Sequence, residues 1–161
     1  MPTSSPAAPA RRTLLPGPRV ADPTAAERGL ARWRALAPIT ADPGLAAFLR
    51  ATLDHEAELL AAVFAGSPFL GEALCAEPGV LRLLREAGPE DALATLAAEL
   101  AVAPVTDRTR LMAALRRARR RHALLIGLAD LGGLWPVERV SAALTGLADR
   151  AVQQALAHLL H

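Results

Sequence analysis

The sequence predicts an all-α fold, an irregular helical bundle of about six or seven helices behind a disordered Pro-rich N-terminal tail. Three observations predict it. The chain of 161 residues contains 37 Ala and 29 Leu, and only 3% of it is aromatic. Ala loses no side-chain rotamers in a helix and Leu loses few, so these two residues favour helix over strand. Capping signals and prolines recur along the chain at helix-length intervals. Between them, apolar residues return every three or four positions.

Residues 1–21 carry Pro2, Pro6, Pro9, Pro16 and Pro18 among small and polar residues. Each proline lacks an N–H and clashes with the preceding turn, so this stretch reads as a disordered leader. It contains Arg11 and Arg12 but no apolar core of the kind a secretory signal needs. The helical domain is expected over 22–161. Asp22-Pro23 and Asp42-Pro43 each set a capping carboxylate before a proline at the first helical position, and Ser67-Pro68 does the same with a hydroxyl. Thr106-Asp107 supplies another start. Stops fall at Ala37-Pro38, Ala65-Gly66, Gly88-Pro89, Ala103-Pro104 and Gly132-Gly133. Helices are therefore expected near 23–36, 43–65, 68–76, 78–87, 89–102, 106–131 and 136–160.

The second helix shows the period well: Leu45, Phe48, Leu49, Leu53, Leu59, Leu60 and Val63 line one side, and Arg50 and Asp54 are spaced to pair on the other. In the last helix Val140, Leu144, Leu147, Ala151 and Ala155 make a stripe that Leu156 and Leu159 extend. No fixed repeat period supports a solenoid.

All 18 basic residues are Arg, and the formal net charge is +2. With neither Lys nor Tyr to titrate between pH 7 and 10, a small Arg excess lifts the isoelectric point to about 9.8. The basic value therefore says little about partners. Cys75 is the single cysteine, which excludes an internal disulfide and a Cys-based zinc site. It reads as a small core residue. His55, His122, His158 and His161 lack metal-ligand spacing, and no uncharged apolar run reaches membrane-spanning length.

The most conspicuous polar feature is Arg116-Arg117-Ala118-Arg119-Arg120-Arg121. Five arginines spread over roughly 200° of a helix, and their forked guanidinium groups suit phosphate or carboxylate. No aromatic residue is interleaved to stack on bases, so the run reads as a solvated or inter-domain face before it reads as a nucleic-acid or acidic-protein site. His122, on the apolar side, reads as a packed side chain with one satisfied nitrogen. Asp130 follows an apolar run and precedes Gly132-Gly133. It is expected to be partly buried, held by an Arg of another helix or by amides of that turn. Without Lys a P-loop is impossible, and no Asp-x-Asp pair or nucleophile–base set is visible. No catalytic residue, bound cofactor or metal ligand is expected in this chain.

Two segments resemble a known family. One is GSPFLGEALCAEPGVLRLL, Gly66 to Leu84; the other is LRRARRRHALLIGLADLGGLWPVERVSAALTGLADRAVQQALAHLL, Leu115 to Leu160. Together they are similar to the N-terminal helical region of bacterial bifunctional glutamine synthetase adenylyltransferase/adenylyl-removing enzymes. The likeness covers about residues 40–160, leaves the Pro-rich start uncovered, and departs from the usual small or acidic residue at His122. It implies an enzyme that transfers AMP from ATP to a tyrosine of glutamine synthetase and removes it by phosphorolysis. It implies Mg²⁺ and ATP as cofactors, the PII signalling protein as a further partner, and a cytoplasmic location. The family's nucleotidyltransferase domains carry Gly-Ser and Asp-x-Asp motifs, and this chain has no Asp-x-Asp. The chain is thus expected to be a fragment, a helical lead-in that packs on an absent nucleotidyltransferase domain and is inactive alone. The alternative is a stand-alone helical adaptor that binds a protein or RNA through Arg116–Arg121.

Overall fold

The computed structural model describes residues 14–15, 17–102 and 107–160. Among these residues there are eight α-helices and no strand: α1 (Pro23–Leu36), α2 (Pro43–His55), α3 (Ala57–Gly66), α4 (Pro68–Ala76), α5 (Gly79–Ala87), α6 (Pro89–Ala101), α7 (Arg108–Leu131) and α8 (Val137–Leu159). A 3₁₀ turn, Ala37–Ile39, follows α1.

The expected caps form. Asp22 Oδ1 accepts from Ala25 N at 3.0 Å and Asp42 Oδ1 from Gly44 N at 2.8 Å. Ser67 Oγ accepts from Leu70 N at 3.2 Å, and Asp107 Oδ1 from Arg110 N at 3.0 Å. Each satisfies an amide that the first helical turn leaves without a partner. Thr106 and the Ala103-Pro104 stop lie outside the described residues.

One expected helix is two. The stretch 43–65 breaks at Glu56, whose backbone leaves the helical region at φ −134° and ψ 20°. Five of the ten residues of α3 are buried (Leu59, Leu60, Ala62, Val63 and Phe64), which a helix continuing the line of α2 along the surface does not achieve. The break drives α3 into the interior against α1 and α4. It also turns the Glu56 carboxylate inward to Arg85 of α5, at 2.7 Å, with both side chains largely buried. Arg50 and Asp54, spaced to pair, form no ion pair with each other.

The core runs through the whole bundle. Trp33 is fully buried and its indole donates to the Leu49 carbonyl at 3.1 Å, so its one polar atom is satisfied. Gly29 of α1 admits the Phe64 ring, which would lie 2.0 Å from any β-carbon there. The long helix α7 packs on α4, α5, α6 and α8, and contributes Leu124, Leu125, Leu128 and Ala129 to the centre.

Most of the expected leader, residues 1–13 and 16, lies outside the described residues. Its inner end joins the bundle: Leu14 is buried, and Leu15 N donates to the Gly132 carbonyl at 3.1 Å. This explains the Gly132-Gly133 pair. Gly133 has φ +66°, and a β-carbon there would meet the Leu15 side chain at 2.4 Å.

Candidate interaction surface

The arginine run occupies the middle of α7, where it passes the C-terminal end of α4. Glu77 caps that end, and its side chain is only 10% exposed. A carboxylate at the negative end of a helix dipole needs a cation from elsewhere. Three arginines supply it. Arg120 Nη2 donates to Glu77 Oε1 at 2.7 Å, Arg117 Nε to the same oxygen at 3.2 Å, and Arg121 Nε lies 3.7 Å from Oε2. Arg121 also pairs with Glu99 of α6. Burial alone would push the Glu77 carboxyl up. The hydrogen bonds and charges of Arg120 and Arg117 outweigh it, and the group sits below the usual glutamate range.

The run thus divides. Arg117, Arg120 and Arg121 fasten α7 to α4 and α6, while Arg116 and Arg119 point away and have no carboxylate partner among the described residues. The five do not form one continuous cationic face. Arg116 and Arg119 instead border an apolar trough of about 370 Å³ between α7 and α8, lined by Met112, Leu115, Leu144 and Leu147.

His122 is fully buried, with Nδ1 2.9 Å from the Ala118 carbonyl one turn earlier. An acceptor there requires the proton on Nδ1, so Nε2 presents a lone pair. That nitrogen has no partner, and the ring borders a cavity of about 460 Å³ together with Glu99, Arg117 and Arg121. Burial pushes the imidazole below its ordinary value. The Ala118 hydrogen bond opposes the shift, and the charges of Arg150 and Arg121 add to it. The expectation of a packed histidine with one satisfied nitrogen agrees with this geometry.

Asp130 corrects its expectation. Its side chain is exposed, so it bears no desolvation cost and needs no buried partner; the turn is closed by backbone, with Gly133 N donating to the Asp130 carbonyl at 3.0 Å. Asp130 lies on the outer side of the last turn of α7, where Leu128 and Ala129 face inward. Cys75 is partly buried against the core, and burial pushes its thiol up, away from the reactive thiolate.

The residues that organise this surface but went unpredicted are Glu77 and Glu99 on the acidic side, and the Glu56–Arg85 pair behind it. Glu77 left one usable signal, an acidic residue at a helix C-terminus just before Pro78. Among the described residues no group of three or more His, Cys, Asp or Glu is placed to hold a metal ion. No helix among them is long and apolar enough to cross a membrane.

What the fold defines is an all-α bundle with a closed core and, along α8, apolar side chains that stay exposed among the described residues. The chain belongs to the glutamate–ammonia ligase adenylyltransferase family, whose model matches residues 57–161. It is similar to the bifunctional glutamine synthetase adenylyltransferase/adenylyl-removing enzyme of Rhodopseudomonas palustris, at 45% identity over 148 residues, 89% of this chain and 15% of the relative. The same enzyme from a second strain of that species is 42% identical over 97% of this chain and 16% of its own. One from a Bradyrhizobium strain is 38% identical over 91% and 15%. The chain therefore spans about 15% of the length of these relatives. No solved structure matches it.

Proposed function

We propose that this chain is the helical lead-in of a glutamine synthetase adenylyltransferase/adenylyl-removing enzyme, and that its work is to pack against and orient a neighbouring nucleotidyltransferase domain. In that reading the complete enzyme moves AMP from ATP to a tyrosine of glutamine synthetase and removes it by phosphorolysis. Mg²⁺ and ATP belong to the catalytic domains, glutamine synthetase is the substrate, the PII signalling protein is a regulatory partner, and the setting is the cytoplasm. The single observation that carries the packing role is α8. Of its 23 residues only Ala143 is buried, while Val137, Leu144, Val152, Leu156 and Leu159 stand 48–77% exposed. A contiguous apolar stripe of that kind marks a surface built to be covered.

The alternative reading, an RNA-binding adaptor acting through Arg116–Arg121, loses support from the pairing. Glu77 and Glu99 already pair with three of the five arginines, and phosphate binding strength follows the number of free cations.

The test is an exchange. The corresponding segment of the full-length Rhodopseudomonas palustris enzyme is replaced by this chain, and AMP transfer to and from glutamine synthetase is assayed. Activity retained by the exchange and lost on simple deletion of the segment supports the packing role. Equal activity of the deletion and the exchange overturns it. The 161-residue chain alone is expected to turn over neither reaction.

A further inference from the structure

Arg116 and Arg119 are three residues apart on α7, so they lie on adjoining turns of one face. Beside them the trough has an apolar floor, with Met112 45% and Leu144 48% exposed, and no carboxylate among the described residues lining it. Its walls run from Met112 to Arg119 on α7 and from Leu144 to Ala151 on α8. Each covers two helical turns, about 12 Å at 1.5 Å per residue. A third helix laid into this trough meets side chains at helix-packing spacing on both walls.

Charge selects the occupant. Two unpaired guanidinium groups flank an uncharged floor, which suits apolar anchors bordered by carboxylates. The Pro-rich leader does not qualify, because residues 1–13 hold Arg11 and Arg12 and no acid. A nucleic-acid strand does not match either. The trough contains no aromatic residue for stacking, and two free cations are a small footprint for a phosphate backbone.

We infer that the α7–α8 trough is a docking site for an acidic amphipathic helix of a protein partner, its aliphatic anchors seated over Leu115, Leu144 and Leu147 and its carboxylates on Arg116 and Arg119. This rests on the reading of α8 as a packing face and adds the chemistry of what packs there.

The probe is a fluorescein-labelled amphipathic helical peptide of about five turns, with Leu along one face and Glu on its flanks. A Lys-for-Glu counterpart and labelled oligo(U) are titrated in parallel into the full chain. The acidic peptide is expected to bind about tenfold more tightly than the Lys peptide. Arg116→Glu combined with Arg119→Glu reverses that preference, and Leu144→Asp abolishes binding of both peptides. All three positions are exposed, and circular dichroism checks that the helices persist. Equal binding of the two peptides, binding of neither, tighter binding of oligo(U), or self-association of the chain through the same residues overturns the inference. The exchanged full-length enzyme separates this from the packing role: activity indifferent to Arg116→Glu/Arg119→Glu overturns the trough alone. An exchange inactive with the unaltered chain counts against the packing role, since the peptide titration does not involve the catalytic part.

Discussion

Helices α3 and α8 are both rich in Ala and Leu, although α8 also carries a polar side, and they end in opposite circumstances. In α3, ten residues long, half the side chains are buried, because α1, α2 and α4 close around it. In α8, more than twice that length, one residue is buried, and among the described residues its main neighbours are α6 and α7. Ala and Leu content alone therefore does not decide what is core; the neighbours a helix meets decide it too.

The comparison breaks first at the centre. Leu125 is fully buried among α7's contacts, and Leu125→Ala is expected to cost about 2–5 kcal/mol through lost transfer energy and the cavity left behind. Leu156→Ala, removing the same atoms from the outer face of α8, is expected to stay within about 0.5 kcal/mol. Urea denaturation monitored by circular dichroism measures both. Similar losses at the two positions would show that α8 is integral to the core after all.

Glu56 comes next, because the separate course of α3 depends on it. Its carboxylate is largely buried beside Arg85, so removing it breaks an ion pair that is shielded from solvent. Glu56→Ala is expected to destabilise by about 3 kcal/mol. Replacing both partners, Glu56→Leu with Arg85→Met, is expected to restore most of that loss. A single variant as stable as the parent would mean that α2 and α3 are divided by packing alone.

Legibility followed the range of the interaction. Asp22, Asp42, Ser67 and Asp107 were readable as caps because a cap is satisfied within its own first turn. The Gly132-Gly133 stop was readable for the same reason, although its tight fit to Leu14 and Leu15 was not. The Glu56 break was invisible: no Gly or Pro marks it, the apolar period continues across it, and the arginine that meets Glu56 sits on α5. The candidate surface was half legible. Five arginines in six residues stand out in any reading, but which of them are already occupied depends on Glu77 and Glu99, on other helices. Asp130 was misjudged because apolar neighbours in sequence were taken as apolar surroundings in space. Its own side chain projects from the outer side of the helix.

A smaller effect separates the two regions by pH. His122 is buried, and its imidazole is held below the ordinary value. The folded chain therefore binds fewer protons than the unfolded chain as pH falls below the ordinary histidine range. Its contribution is fully present above that range and is lost as pH drops toward the lowered folded value. Burial sets the sign; of the charged groups that face it, Arg150 from α8 and Arg121 on its own helix add to the shift, and Glu99 from α6 partly offsets them. The thermal midpoint is expected to fall between pH 7 and pH 5 in the parent, and to fall less in His122→Leu. Parallel curves for the two proteins would remove His122 as the source.

The smallest expected effect is the most informative about α8. Val152 is 58% exposed on the outer stripe, one turn beyond Ala148. Val152→Ser is expected to change the stability of the isolated chain by no more than about 0.5 kcal/mol, since a surface side chain has little apolar contact to lose. The same substitution carried in the exchanged full-length enzyme is expected to lower its thermal midpoint, because there the valine has a neighbour to lose. Silence in the fragment with a cost in the whole enzyme is the signature of a face whose partner is another domain. Equal silence in both would leave α8 as an ordinary solvent-facing helix with an unusual share of aliphatic residues. Leu144 borders both the outer stripe and the Arg116–Arg119 trough, so the variants at Val152 and at Arg116 and Arg119, which belong to one surface each, are the ones that separate the two contacts.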